Sequence, residues 1–404
     1  MQQQQAGILM QRSRYLGRLY FALAVAWGVA TGPVPAADGT TRQEQIEFRA
    51  ADEAQVPERF RLPAHQFPAE IQLRGEYDDF VVSNVRFPSP VVTPFPENNT
   101  VHCEFFQPQG DGPYPAIVML HILGGDFELS RVCCRVMAQE GVAALFVKMP
   151  YYGPRRPHGQ RVRMISEDDQ QTRQAMTQAV VDIRRGVAWL AQREAVDQKR
   201  LGIAGISLGG IVAALATEAE PQLRRGCFVL AGGDMARIVM ESNETADIRA
   251  KWEHRTVTPQ QVTEMLSPID PLTYADRLRG REILMMNARH DEVVPPACTE
   301  LLWKAAGEPE IVWWNAGHYS AALQLPGGLA RMVRFFAAPL ATGGPPTANP
   351  LAPTGESGSH GAPSKTPRKA TQGNPKAKRQ PKKRQPKKRQ PKTHSFSTGF
   401  RQFG

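Results

Sequence analysis

The chain has 404 residues, of which 41% are hydrophobic and 22% are charged, and its formal net charge is +10. This length is enough for one large α/β domain with a full core and does not require two domains. The charge is uneven, because residues 341–404 carry 14 Lys and Arg against one Glu, whereas residues 38–340 carry 32 basic and 38 acidic residues. The basic balance therefore belongs to the C-terminal segment, and it excludes the interpretation that the folded part is a basic domain.

Residues 1–37 have the pattern of a secretory signal peptide. Three Arg residues precede the apolar run 19–30, and small residues lead up to a cleavage site after Ala36 or Ala37. The apolar run is shorter than the ~20 residues that a bilayer span takes. We therefore expect export to the periplasm, cell envelope or extracellular space, with no transmembrane span after signal removal. An uncleaved anchor and a later start at Met10 are the alternatives.

The middle of the chain alternates short apolar runs with longer helical patterns. We assign residues 38–77 to an N-terminal extension and residues 78–340 to one folded domain. The sequence predicts strands at 80–87, 100–106, 114–123, 142–149, 200–206, 226–232, 282–288 and 310–315. Strands that alternate with helices indicate an α/β fold with a mostly parallel sheet covered on both faces, which binds ligands at the carboxyl ends of its strands.

A single serine lies at one of these strand ends, in the stretch GIAGISLGGIVAALA. Ser207 stands between Gly205 and Gly209, after an apolar strand and before an alanine-rich helical run. A tight strand-to-helix turn needs small residues on either side, exposes the hydroxyl and places a helix N-terminus behind it. The G-x-S-x-G pattern is weak alone, but in this context it predicts a nucleophilic serine.

Two later strand ends supply the acid and the base that such a serine needs. Asp291 follows the strand 282–288, and His318 follows the strand 310–315. The order Ser, Asp, His fits this architecture, so we predict a catalytic triad of Ser207, Asp291 and His318. Taken singly, the aspartate is also compatible with a helix N-cap and the histidine with a structural loop residue. The competitors for the two roles are His121, His254, His290 and Asp270.

These motifs resemble the α/β-hydrolase superfamily, and within it the dienelactone hydrolase and acetyl xylan esterase type. The resemblance implies the α/β-hydrolase fold, with a mostly parallel central sheet, helices on both faces and a small helical cap at residues 234–280. It also implies an oxyanion hole made by the N–H of Leu208 and by an amide of the HILGG loop, residues 121–125. We choose Leu123 for the second donor and Gly124 next, with His121 as a brace for the loop.

The segment after the fourth predicted strand, KMPYYGPRRPHGQR, is similar to a turn found in the same relatives. Tyr151 and Tyr152 are expected to line the substrate pocket, and Arg155 or Arg156 to bind an anionic group. The alternative is a Pro-rich surface loop with one packed tyrosine and solvated arginines.

The resemblance implies an exported serine esterase that acts on a small ester or an acetylated carbohydrate, without a metal or cofactor. Two alternatives stay open. One is a prolyl-oligopeptidase-like peptidase, and the other is a non-catalytic envelope-associated protein that uses the hydrolase fold as a scaffold.

The five cysteines are odd in number and lack the spacing of a metal site. We expect buried thiols, with one disulfide as the alternative.

Residues 341–404 are rich in Gly, Pro, Ser and Lys, which predicts a disordered basic tail. Pro interrupts the basic run 376–392, so its charges stay available to a polyanion or an anionic envelope surface. A solubilising tail with no partner is the alternative. The run contains no aromatic residue to stack on bases, so we expect no specific nucleic-acid partner.

Overall fold

The computed structural model describes residues 41–50, 53–125 and 127–340. The predicted signal peptide and the predicted tail lie outside the described residues. Within the described part, ten strands form one sheet in the order β1-β2-β3-β4-β6-β5-β7-β8-β9-β10. They are β1 (Thr41–Phe48), β2 (His65–Glu76), β3 (Phe80–Pro88), β4 (Thr100–Pro108), β5 (Tyr114–Leu120), β6 (Ala143–Val147), β7 (Val196–Ile206), β8 (Arg225–Val229), β9 (Glu282–Ala288) and β10 (Glu310–Trp314).

The strands β5 to β10 form the parallel part of the sheet. β5 pairs in parallel with β6 and β7, and β7, β8, β9 and β10 continue in parallel. β1 to β4 pair antiparallel with one another, and β4 pairs antiparallel with β6. Every residue of β6 and β8 is buried, as expected for strands covered on both faces.

Helices cover both faces of this sheet. They are α1 (Phe127–Gln139), α2 (Asp169–Ala191), α3 (Leu208–Ala219), α4 (Met235–Glu241), α5 (Ala246–His254), α6 (Pro259–Leu266), α7 (Pro271–Tyr274), α8 (Pro296–Ala305) and α9 (Leu325–Ala337). Alternate residues of β5 point to opposite faces. Val118 and Leu120 belong to the core that includes α2 and α3, whereas Ile117 and Met119 belong to the core that includes α1 and α9. The predicted fold class is confirmed.

The register of the parallel strands brings several loop starts to one edge of the sheet. Leu120 at the end of β5 pairs with Gly205, and Ile206 at the end of β7 pairs with Val229. Ala288 at the end of β9 pairs with Trp314 at the end of β10. The loops that follow β5, β7, β9 and β10 therefore begin side by side, and these loops carry the predicted site.

Residues 38–77, which we assigned to an extension, contribute two strands that the sequence analysis did not predict. β1 pairs with β2 along its whole length and forms an edge of the sheet. Ile46 and Phe48 are buried in β1, and its other residues are exposed or half-buried. Trp189 of α2 donates its indole N–H to Glu44 at 2.9 Å. Because β1 has few apolar residues, its sequence gives only a weak strand signal.

All five cysteines are free and buried, which confirms the expectation of buried thiols. Burial raises the pKa of Cys103 and of Cys133 to about 12, so these thiols are unreactive near neutral pH. Among the described residues, no helix is long and apolar enough to cross a membrane.

Candidate active site

Ser207 lies at the junction of β7 and α3 with a left-handed backbone. Its φ and ψ are 56° and −121°, a conformation that a non-glycine residue adopts only under strain. Its N–H donates to Val229 at 2.8 Å, and its side chain makes no capping hydrogen bond with α3. The turn therefore holds the serine through its backbone and leaves the hydroxyl for another partner.

The glycine two residues after the serine lets α3 approach the loop that follows β5. A Cβ at Gly209 would lie 2.6 Å from the carbonyl oxygen of His121 and 2.9 Å from that of Leu120. Real Cβ contacts are never so short, so only glycine fits here without a backbone shift. The start of α3 thus lies directly against the HILGG loop.

His318 joins Ser207 to Asp291 through its two ring nitrogens. Its Nε2 lies 3.0 Å from the Ser207 Oγ, and its Nδ1 lies 2.9 and 2.8 Å from the two Asp291 carboxylate oxygens. An ionised carboxylate only accepts hydrogen bonds, so Nδ1 carries the proton and Nε2 can accept the serine proton. The structure therefore brings the three predicted triad residues together in the order that proton transfer requires.

The acid is fixed by its own loop. Asp291 Oδ1 accepts the N–H groups of Val293 at 2.9 Å and of Val294 at 2.7 Å. The side chain of Asp291 is 2% exposed and that of His318 is 9% exposed. Shielding from water strengthens the hydrogen bond between them.

Glu292 contributes to the candidate active site, and the sequence analysis missed it. Its Oε2 accepts the backbone N–H of His318 at 2.9 Å. The residue next to the acid therefore positions the backbone of the base. The D-E-V-V-P stretch contains a second carboxylate, which is the only sequence signal that could have pointed to it.

Leu208, the first predicted oxyanion donor, is the first residue of α3. The first N–H groups of an α-helix have no acceptor within the helix, so this N–H stays available at the nucleophile. The α3 dipole also favours negative charge at this end.

The second predicted donor lies in the loop 121–125. His121 Nε2 accepts the N–H of Met149 at 3.1 Å, so the ring proton is on Nδ1, which donates to the Ile122 carbonyl at 2.8 Å. Burial lowers the pKa of His121 to about 4, and the ring is therefore neutral near pH 7. The expected bracing role of His121 matches this geometry.

Tyr151 and Tyr152, predicted to line a substrate pocket, are both buried. The Tyr151 N–H donates to Asn98 Oδ1 at 3.0 Å, and the Tyr152 ring packs edge-on against His121 at a centroid distance of 4.7 Å. The structure therefore places Tyr152 against the loop that contains the second predicted oxyanion donor.

Arg155 does not have the predicted role, because its side chain is fully buried away from solvent. Its guanidinium forms an ion pair with Asp182 at 2.8 Å and donates to the carbonyl oxygens of Asn98 at 2.7 Å and Lys148 at 3.1 Å. A guanidinium that is buried and engaged in this way is not accessible to a substrate anion. Arg155 stabilises the segment after β6, and the exposed neighbour Arg156 is the solvated arginine of the pair.

The segment 234–280 forms helices α4 to α7, as expected for a helical insertion. Its apolar side chains Ile248, Trp252, Val262 and Leu266 are buried. Tyr319, next to His318, donates its hydroxyl to Glu244 of this segment. The insertion therefore contacts the loop that carries the candidate base.

The competing residues have other contacts. Asp270 accepts the N–H groups of Asp234, Met235 and Leu272 and so caps the starts of α4 and α7. His290 Nε2 lies 2.9 Å from the side-chain oxygen of Asn315. His254 is exposed at the end of α5. Among the described residues, the Ser207 hydroxyl is hydrogen-bonded to His318 and to none of these three. In the described ranges, no group of three or more His, Cys, Asp or Glu residues is arranged to hold a metal ion.

Two family models match the chain. The model for alpha/beta hydrolase domain containing 18 matches residues 26–231, about half of the chain. The model for the prolyl oligopeptidase family matches residues 168–311. Uncharacterized proteins from two strains of Mycobacterium tuberculosis are 31% identical over 184 residues, which is 44% of this chain and 42% of theirs. The match therefore spans less than half the length of these curated relatives.

Solved structures with a similar fold include esterases and a peptidase. An acetyl xylan esterase from a Paenibacillus species is 20% identical with a TM-score of 0.55, covering 68% of this chain and 89% of its own. Acetyl xylan esterase 1 from a Thermoanaerobacterium species is 18% identical with a TM-score of 0.52, covering 65% and 87%. An acylaminoacyl peptidase from Pyrococcus horikoshii is 16% identical with a TM-score of 0.51, covering 67% and 47%.

Proposed function

We propose that this chain, which belongs to the alpha/beta hydrolase domain containing 18 family, is a serine esterase. The reaction is hydrolysis of a carboxylic ester through an acyl-enzyme on Ser207. The observation that carries the proposal is the hydrogen-bonded chain from Ser207 through His318 to Asp291.

In the first half of the proposed reaction, His318 Nε2 takes the Ser207 proton while Oγ attacks the ester carbonyl. The N–H groups of Leu208 and Leu123 stabilise the oxyanion, and His318 returns the proton to the leaving alcohol. In the second half, the same nitrogen activates water, which releases the acid and restores the serine. Asp291 holds the ring in its working tautomer and stabilises the imidazolium.

The proposed substrate is a small ester or an acetylated carbohydrate. The apolar side chains of the 234–280 insertion pack inward, and most of the remaining surface of α5 and α6 is polar and exposed. Such a cap offers little apolar surface for a long acyl chain. Acetyl xylan esterases share the fold at 20% and 18% identity, which is consistent with this substrate class.

A peptidase is the second candidate, because the prolyl oligopeptidase family model matches residues 168–311, a range that contains Ser207 and Asp291. The same three side chains can cleave an amide. The two candidates differ in substrate and share the nucleophile.

Export is proposed with the esterase activity, from the signal-like pattern of residues 1–37. Expression of the full chain followed by fractionation and determination of the mature N-terminus tests it. A mature chain that retains residues 1–37 in the cytoplasm would contradict it.

Labelling with a fluorophosphonate tests the nucleophile. Wild-type protein and the control variant Ser83→Ala, altered on β3, should label, whereas Ser207→Ala should not. Substitution of Ser207 or His318 by alanine should lower kcat/KM by about 10³-fold or more, because triad members act as a unit. Labelling of Ser207→Ala at the wild-type level would exclude the mechanism.

A substrate panel then separates the candidates. It contains p-nitrophenyl esters from acetate to palmitate, acetylated sugars and peptide amides. Hydrolysis of short esters supports the esterase, and a clear preference for peptide amides supports the peptidase. A chain that neither labels nor hydrolyses any member fits the non-catalytic scaffold.

A further inference from the structure

His318, the candidate base, is held at its two ring nitrogens and at its backbone. Its Nδ1 lies 2.8 Å from Asp291 and its Nε2 lies 3.0 Å from Ser207, and its backbone N–H donates to Glu292 at 2.9 Å. Hydrogen bonds at ring nitrogens form in the plane of the imidazole, so they restrain its tilt about the line through the two nitrogens only weakly. A packing contact on the ring is needed to fix that tilt.

Tyr319 packs its ring against the ring of His318. The two ring centroids are 5.6 Å apart and the ring planes meet at 78°, which is an arrangement that aromatic pairs favour. Tyr319 is 38% exposed, so burial alone does not select one side-chain rotamer for it. Its contact with the base therefore depends on what holds the far end of the tyrosine.

The far end of Tyr319 is its hydroxyl, which donates to the side chain of Glu244. Glu244 lies in the short turn 243–245 between α4 and α5. Ser242 Oγ accepts the Glu244 N–H at 3.2 Å, and Thr245 Oγ1 donates to a carbonyl of α4 at 2.7 Å. Both of these hydroxyl-bearing residues are buried. The acceptor of the Tyr319 hydroxyl is therefore presented from a turn that its neighbours hold in place.

Helix α5, which follows this turn, is fastened to the segment that precedes α2. The indole N–H of the buried Trp252 donates to the Glu167 carbonyl at 2.9 Å, and Lys251 pairs with the Glu167 carboxylate at 2.5 Å. Arg163 pairs with Asp247 at 2.7 Å. The insertion therefore reaches from the segment before α2 to the loop of the candidate base, and its turn is fixed relative to the folded domain.

We propose that Tyr319 is a positioning residue for the base, and that Glu244 of the 234–280 insertion holds it in place. The ring of Tyr319 fixes the tilt of His318 and with it the direction of Nε2 towards Ser207. The insertion then takes part in orienting the catalytic machinery, besides any part in choosing the substrate. The inference rests on the proposed serine mechanism and deepens it.

The test removes the hydroxyl hydrogen bond from each side. Tyr319→Phe keeps the ring and loses the donor, whereas Glu244→Ala loses the acceptor. Each should lower kcat for p-nitrophenyl acetate about 3- to 10-fold, the range that one net hydrogen bond supplies, with KM changed less than about twofold. The double variant should be no slower than the slower single variant, since both remove the same interaction. Glu244→Gln keeps a side-chain oxygen acceptor and should retain most of the wild-type kcat.

A matched control and a second readout separate positioning from general stability. Tyr274 of the same insertion donates its hydroxyl to the Pro268 carbonyl at 3.2 Å and packs against Phe60, so Tyr274→Phe loses a similar bond and should leave kcat unchanged. Melting temperatures of the variants should stay within about 4 °C of wild type, so unfolding does not account for a lower kcat. The rate constant of fluorophosphonate labelling, which reports on the base without an ester substrate, should fall in Tyr319→Phe by about the same factor as kcat.

Several results would overturn the inference. They are an unchanged kcat and labelling rate in Tyr319→Phe, a loss confined to KM, an equal kcat loss in Tyr274→Phe, or additive losses in the double variant. A Glu244→Gln variant as slow as Glu244→Ala would exclude the hydroxyl contact as the one that holds the ring. Failure of the proposed function has a different signature, since wild-type protein would then neither label nor turn over, and the positioning role would fall with it.

Discussion

The contacts of the buried Arg155, in the segment after β6, predict how much it contributes to the stability of the folded protein. Arg155→Leu removes the cation that pairs with Asp182 at 2.8 Å and three hydrogen bonds to the carbonyls of Asn98 and Lys148. Breaking a buried ion pair from one side costs about 3–5 kcal/mol, because the other charge stays buried. At roughly 2–4 °C per kcal/mol for a domain of this size, Tm should fall by about 6–20 °C.

The loss of stability in Arg155→Leu should also depend on pH. Burial raises the pKa of Asp182, and Arg155 opposes that rise. Without the arginine the pKa rises further, and the folded state favours the protonated acid. The penalty is therefore largest above the folded pKa and shrinks as pH falls through it. The difference in unfolding free energy between wild type and Arg155→Leu should narrow in acid.

Differential scanning fluorimetry and urea unfolding at several pH values measure these effects. The exposed neighbour provides the control, since Arg156→Leu should stay within about 0.5 kcal/mol of wild type. The double variant Arg155→Leu with Asp182→Leu should recover part of the loss, because neither charge of the pair is left buried without the other. A Tm for Arg155→Leu within 2 °C of the Arg156→Leu value, or a raised KM at unchanged Tm, would refute the reasoning.

Four other outcomes follow from the structure and the sequence. Gly209→Ala should lower the free energy of unfolding by about 1–3 kcal/mol and remove most of the activity, because its Cβ would lie 2.6 Å from the His121 carbonyl oxygen. Gly327→Ala is the control, since a Cβ there meets nothing within 4 Å. Equal melting temperatures for the two variants would contradict this prediction. Burial lowers the pKa of both His102 and His121 to about 4. The free energy of unfolding, measured in urea, should therefore fall as pH drops from about 6.5 towards 4. A higher free energy of unfolding in acid would contradict this prediction. In a chain-length series, acetate should be hydrolysed faster than palmitate, and the reverse order would show an apolar acyl site. Deleting residues 341–404 should leave turnover of a soluble ester unchanged and abolish salt-sensitive binding to polyanions; binding that persists in 1 M salt, or a loss of turnover, would disprove the electrostatic tether.

The placement of the triad side chains was accessible from sequence because strand ends are local signals. Ser207, Asp291 and His318 each follow a short apolar run, and parallel strands end at one edge. The common edge of the parallel strands brings these three loops together. Their catalytic role stays a prediction until the nucleophile is labelled.

The supporting contacts were not accessible, since they depend on side chains from distant segments. The PYYGPRRP stretch has the composition of a surface loop, and nothing local shows that Arg155 turns inward to α2. A charge inside an otherwise apolar helical pattern, Asp182 between Val181 and Ile183, was the available signal. It indicated a buried partner without identifying it.

The edge formed by β1 and β2 has a practical consequence for where the folding unit begins. Phe48 and Phe67 are buried in the same core as α2, and Arg184 of that helix contacts Glu53 and the Phe60 carbonyl. A chain cut back to Asp78 would uncover these aromatic contacts and leave Trp189 without its acceptor. Any maturation protease or truncation that removes residues 41–76 should therefore yield an aggregation-prone product with β3 as a bare sheet edge.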